Sequence, residues 1–130
     1  MPVKNNIVLD QRIIITLMFG RITQDDVTGL YTALIADPKF DPSFDHLVDL
    51  SGVEEIAVTS DIVRSLARRE LAYHTKSRCA LVAPQDVTFG MARMYISVRD
   101  HRREYRVFRE RAEAESWLAL PKIAHNKESA

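Results

Sequence analysis

The sequence is poor in most features that would take it outside ordinary globular proteins. Its single cysteine cannot form an intrachain disulfide, and Cys79 lies in the apolar run Cys-Ala-Leu-Val-Ala, where a free thiol is expected to act as a small buried hydrophobe. Four glycines and five prolines in 130 residues exclude a collagen-like or low-complexity polymer. The longest apolar run, Ile13 to Phe19, is seven residues and is broken by Thr16. That is far short of the roughly 18–20 residues that cross a bilayer, so membrane insertion is not expected. The opening Met-Pro-Val-Lys-Asn-Asn lacks the charged, apolar, small-residue layout of a secretory signal, which predicts a cytoplasmic location. Motifs for chemistry are also missing: there is no nucleophile elbow, no phosphate-binding glycine loop and no paired metal-ligand spacing. His46, His74, His101 and His125 form no His-x-x-x-His pair, so each reads as a solvated or locally bonded histidine. No metal, no cofactor and no catalytic residue is expected.

What is present is enough apolar side chain, 46%, with 28% charged, to build one domain around one core. Eighteen basic and eighteen acidic residues cancel overall but divide unevenly. Residues 1–62 hold four bases against ten acids, and residues 63–130 hold fourteen against eight. This permits a dipolar surface that attracts a charged partner. Arg99 to Arg111 concentrates six arginines around Tyr105 and Phe108, yet three acids interrupt it. It reads as a solvated edge strand protected from aggregation rather than as a nucleic-acid site.

Val3–Leu9 and Ile13–Phe19 are β-branched runs joined by Asp10-Gln11-Arg12, which predicts an antiparallel hairpin closed by Gly20. Thr23 can accept the backbone N–H of Asp26 and so cap a helix. Val27, Leu30, Tyr31, Leu34 and Ile35 give that helix one apolar stripe, and Asp37-Pro38 ends it. His46–Leu50 reads as a buried central strand turned by Ser51-Gly52, followed by a short apolar bridge, Ile56-Ala57-Val58. Thr59 or Ser60 can cap a second helix with Ile62, Val63, Leu66 and Ala67 turned inward. Ser77–Ala83 is apolar enough to be covered on both faces. A third helix, capped by Asp86 or Thr88, carries Val87, Met91, Met94, Tyr95 and Val98. Tyr105–Phe108 is a short edge strand, and Ala112–Leu120 a last helix with Ala114, Trp117 and Leu118 inward. The expected fold is therefore a single-domain α/β protein, ββαβαβαβα, mostly parallel with an antiparallel N-terminal hairpin. The domain covers residues 1–120, and 121–130 form a flexible tail.

This order, with Leu47-Val48-Asp49-Leu50-Ser51-Gly52-Val53-Glu54-Glu55-Ile56, resembles the STAS superfamily, the fold of bacterial anti-sigma-factor antagonists (SpoIIAA-like) and of sulfate-transporter cytoplasmic domains. The loop Asp41-Pro42-Ser43-Phe44, Phe89-Gly90-Met91-Ala92-Arg93-Met94-Tyr95, Val107-Phe108 and Ser116-Trp117-Leu118 are similar to a small stand-alone STAS/CRAL-TRIO-like subgroup. The resemblance implies a non-catalytic module that binds a protein partner or a second copy of itself. In the phospho-regulated antagonists the loop before the second helix reads Asp-Ser-Ser-Gly. Here the matching positions are Ala57, Val58, Thr59 and Ser60, which lack the acid and the glycine. Thr59 is the matching hydroxyl, and Thr59 and Ser60 are candidates for a phospho-acceptor, with a plain helix cap as the simpler reading.

The candidate partner surface is the loop and second helix from Val53 to Arg69, with Glu54, Glu55, Arg64 and Arg68 as its charges. Asp49 and Ser51 form a candidate rim where ligands of open α/β sheets bind, against a turn in which they bond local backbone. With His46 they would be the residues of a third, enzymatic reading. Phe89, Met91, Met94, Tyr95 and Trp117 could line an apolar pocket between the third and fourth helices and the sheet. Such a pocket would suit a small lipid-like ligand, whereas the alternative is ordinary core.

Overall fold

The computed structural model describes residues 2–69, 77–97 and 103–119, and of the side chains at 66–69 nothing is said. The tail 121–130, Val98, His74, His101, His125 and the side chains of Leu66, Ala67 and Arg68 thus lie outside the described residues. The elements are β1 (Val3–Val8), β2 (Ile13–Thr23), α1 (Gln24–Ala36), β3 (Asp45–Ala57), α2 (Ser60–Arg69), β4 (Arg78–Val82), α3 (Asp86–Ser97), β5 (Glu104–Phe108) and α4 (Arg111–Ala119). They follow the order ββαβαβαβα. The five strands form one sheet in the order β1-β2-β3-β4-β5, with β1 antiparallel to β2 and every later pair parallel.

The hairpin forms because two β-branched runs flank a polar turn. A single 3-10 turn over Leu9–Gln11 is closed by Arg12 in the left-handed region, φ 54°, whose N–H donates to Leu9 O. Strand β2 does not stop at Gly20. Gly20 takes φ +72° beside a register shift, and the strand resumes to Thr23. There Thr23 Oγ1 accepts from Asp26 N, and Asp26 Oδ2 accepts from Thr23 N, a reciprocal capping box that starts α1.

Ser51-Gly52 is likewise not a turn. Strand β3 runs through it for 13 residues, and Ile56-Ala57 is its end rather than a bridge. Against β2 the register slips twice, from Leu17↔Asp49 to Phe19↔Gly52 and from Gly20↔Val53 to Arg21↔Glu55. Each slip inserts one extra β3 residue, a bulge that re-phases the alternation of side chains. Leu50 and Val53 therefore both reach the same core although three residues apart. Gly52 is required at the first bulge, because a Cβ there would sit 2.9 Å from Phe19 Cβ.

The sheet has two unlike faces. On the front, Met18, Ile22, Val48, Leu50, Val53, Cys79 and Leu81 pack with Leu30 of α1 and Ala92 of α3. On the back, Leu47, Ala80 and Val82 pack with Ala114 and Trp117 of α4. Strand β4 is buried along its whole length, as expected of a strand covered on both sides.

Candidate functional site

The front face does not close completely. Between the sheet and helices α1, α2 and α3 lies a cavity of about 120 Å³. Strands β2 and β3 supply Met18, Ile22, Val48, Leu50 and Ile56. Helix α1 supplies Val27, Leu30 and Tyr31, and α3 supplies Met91, Ala92 and Tyr95. Cys79 and Leu81 of β4, Val63 of α2 and Tyr105 of β5 complete most of the wall. These residues converge because front-facing strand positions recur every second residue, and the helix stripes of α1 and α3 recur every third or fourth. Among the described residues lining it, none carries a charged side chain at neutral pH.

Polar groups in the described lining are few, and Tyr31, Tyr95, His46 and Thr88 each make a hydrogen bond within the protein. Tyr31 Oη and Tyr95 Oη lie 2.7 Å apart, joining α1 to α3 by one hydrogen bond. The Tyr95 ring meets the Tyr105 ring edge-on at 6.5 Å, which fixes its orientation against β5. His46 is buried on β3, with Nε2 2.7 Å from Thr16 Oγ1. Thr16 Oγ1 in turn donates to Asn5 Oδ1 at 2.7 Å, so His46 Nε2–H is the donor of this chain. Burial, reinforced by the nearby Arg103 guanidinium, lowers the His46 pKa to about 3. The imidazole is thus neutral and structural. It does not meet Asp49 or Ser51 in a catalytic arrangement, since Asp49 is on the back face.

Of the expected pocket residues, Met91 and Tyr95 line this cavity, whereas Phe89, Met94 and Trp117 are not in its described lining. Trp117 is across the sheet, where it packs 5.7 Å from Phe108 and holds α4 to the back face. Phe89 sits at the edge of the front core under Arg109, whose guanidinium lies 4.2 Å from the ring centroid and also binds Asp86. The expected residues thus do not share one site: Met91 and Tyr95 line the cavity under α1, α2 and α3, whereas Phe89 and Trp117 both line a separate, more open groove beside β5 and α4. Sequence reasoning missed Tyr31, Leu30, Val27, Met18 and Ile22. Their signal was present, since Val27, Leu30 and Tyr31 were read as one stripe, but a stripe does not reveal that its neighbours stop short of filling the space.

Thr59 precedes α2 and its Oγ1 accepts from Ile62 N at 3.2 Å, whereas Ser60 is the first helical residue; both are exposed. Neither Asp86 nor Thr88 makes the corresponding bond for α3; Thr88 Oγ1 instead donates back to Gln85 O. Glu54 and Glu55 are exposed near the end of β3, and Glu55 pairs with Arg21 at 3.5 Å. Arg64 pairs with Asp61 at 3.4 Å. Exposed pairs of this kind contribute about 0–1 kcal/mol, so these charges are dispensable for folding.

Asp49 and Ser51 lie inside β3 and not at its end. Asp49 Oδ1 accepts from Ser51 N at 2.9 Å, and Oδ2 accepts from Arg111 of α4 at 3.0 Å. Burial raises the Asp49 carboxyl, but the Ser51 and Arg111 hydrogen bonds together outweigh it and hold the group below its ordinary value. Arg111 also binds Glu115. Arg78, buried on β4, donates to Trp117 O at 2.8 Å near the C-terminal end of α4 and to Glu104. Both arginines fix α4 to the sheet, which accounts for the carboxylate without invoking a ligand.

Among the described residues no group of three or more His, Cys, Asp or Glu could hold a metal ion. None of the described helices is long and apolar enough to cross a membrane. No family model and no curated protein matches the sequence. Among solved structures, the chain is similar to an uncharacterised protein of the DUF3478 family with a SpoIIAA-like fold from Shewanella loihica PV-4. The match has a TM-score of 0.55 and 15% sequence identity, and it covers 90% of this chain and 92% of that one. A five-stranded sheet with one antiparallel edge, the four described helices interleaved with it and this end-to-end match give the chain a SpoIIAA-like fold.

Proposed function

We propose that this chain is a non-catalytic binding module whose occupant is a small apolar molecule held in the front-face cavity. The observation that carries this reading is the cavity itself, about 120 Å³ lined almost wholly by apolar side chains. Its volume is near that of an engineered apolar cavity of about 150 Å³ that takes up benzene, and below the roughly 300–1,000 Å³ of drug-sized sites. A single-ring molecule fits this reading better than a long-chain lipid.

Toluene is a suitable first probe. At ten times its dissociation constant it should raise unfolding free energy by roughly 1.4 kcal/mol in chemical denaturation. Ala92→Leu places a larger side chain in the lining and should abolish the effect while leaving the protein folded. Equal stability of the wild-type protein with and without toluene would sink the reading.

A protein partner at Val53–Arg69 is a second reading, favoured by one feature of the wall. Val58 and Val63 line the cavity, and Thr59, between them, caps α2. Occupancy and the surface bearing Glu54, Glu55 and Arg64 would then be linked through the connection from β3 to α2. A partner captured from lysate should bind with a different affinity when toluene is added, and Thr59→Ala should weaken it.

A further inference from the structure

Resting on the cavity reading, we infer that the preferred occupant is a neutral single-ring molecule bearing one hydroxyl, and that Tyr95 determines this preference by accepting that hydroxyl's hydrogen bond. Three features of the wall lead to this class. The first is charge. No described lining residue is charged at neutral pH, and His46, the one lining group that titrates near neutrality in water, is kept neutral by burial. Arg103 lies near His46 and Tyr105 but is not a lining residue; its guanidinium rests 5.6 Å from the Tyr105 ring centroid and donates to Phe44 O. A carboxylate or ammonium entering the cavity would lose its hydration without gaining an ion partner among the described lining residues, which disfavours ionised ligands.

The second feature is size, since about 120 Å³ suits one ring and little more. The third is the tyrosine pair. A phenolic oxygen carries one proton and accepts up to two hydrogen bonds. In the Tyr31–Tyr95 bond either oxygen can be the donor. If Tyr95 donates, both of its acceptor positions are left over from this bond. If it accepts, one is. In both cases Tyr95 Oη can accept a hydrogen bond from a ligand without breaking its bond to Tyr31, so a hydroxyl donor complements it. Packing of Tyr95 edge-on against Tyr105 holds the oxygen in one place and makes it a specific rather than an adaptable contact.

The test is calorimetric titration of the full chain at pH 7.5 with benzene, phenol and benzoate, repeated on Tyr95→Phe. The expected result is phenol binding three- to tenfold tighter than benzene, as one net hydrogen bond allows, with benzoate not binding. In Tyr95→Phe the ratio of phenol to benzene affinity should fall to about one, as loss of one net hydrogen bond requires, and continued saturable benzene binding shows that the variant has kept its fold and cavity. Benzene and phenol binding equally, benzoate competing with phenol, or a phenol preference that survives Tyr95→Phe would each overturn this inference and leave the cavity reading intact. Failure of every probe to bind would remove both.

Discussion

At the residue scale, the most informative group is His46. It was legible as the start of a strand, and its burial was not, because a histidine's burial depends on which strands flank it. Here Ile14 of β2 and Cys79 of β4 are its neighbours across the sheet, and Thr16 supplies its partner. The consequence is a pH dependence with a definite sign. In the unfolded chain His46 binds a proton as pH falls through about 6.5, while in the folded protein it resists until about 3. Between those values the unfolded state holds more protons, so stability falls as pH falls. At pH 5 this amounts to about 2 kcal/mol. Urea unfolding at pH 7.5 and pH 5 should show that loss in the wild-type protein and a clearly smaller one in His46→Gln, whose amide can still bond Thr16. Asp49 does not contribute in that window. Its lowered pKa gives stability that is present above the unfolded carboxyl value and is lost only as pH falls through the folded one.

Gly52 is the other residue whose role is now physical. The dipeptide Ser51-Gly52 looks like a strand stop, since serine and glycine favour turns. What glycine provides is close approach of two strands at a bulge, with Phe19 Cβ 2.9 Å from where its own Cβ would be. Gly52→Ala should cost about 1–3 kcal/mol by thermal unfolding, the range expected for overpacking.

At the element scale, hydrophobic spacing located each described helix and strand, and the Asp37-Pro38 pair marked the end of α1. Extent was harder to read for β2 and β3. Each continues through a glycine, and periodicity alone cannot separate a bulged strand from two short ones. Caps carry measurable weight here. Thr23→Ala removes the hydroxyl that receives Asp26 N and should destabilise the protein by about 1 kcal/mol, whereas Thr28→Ala, mid-helix on α1, should have little effect. Docking of α4 is a second test at this scale. Arg111→Met leaves the Asp49 carboxylate buried with only Ser51 as its described partner, and should cost about 1–3 kcal/mol and raise the Asp49 pKa. Glu115→Gln, which alters only an exposed pair, should change stability by less than about 0.5 kcal/mol.

At the scale of the whole molecule, the sheet separates two tasks. The back face is a structural seam in which α4 is held by Arg78, Arg111 and the Phe108–Trp117 contact. The front face is covered by three helices that leave a cavity. Composition and charge foretold neither, because the assignment of a residue to a face depends on strand parity and on the two bulges of β3. That is why Trp117 was grouped with Met91 and Tyr95 on chemistry alone, although the sheet lies between them.

The account rests on the front cavity accepting a ligand, and the methionines report on it directly. Met18 and Met91 line the cavity, while Met94, one helical turn further along α3, is not part of the described lining. Benzene titrated into protein labelled at its methionine methyl groups should shift the Met18 and Met91 signals in a saturable way and leave Met94 nearly unmoved. Unchanged Met18 and Met91 signals at saturating benzene, or shifts that grow linearly and equally at all three, would contradict it.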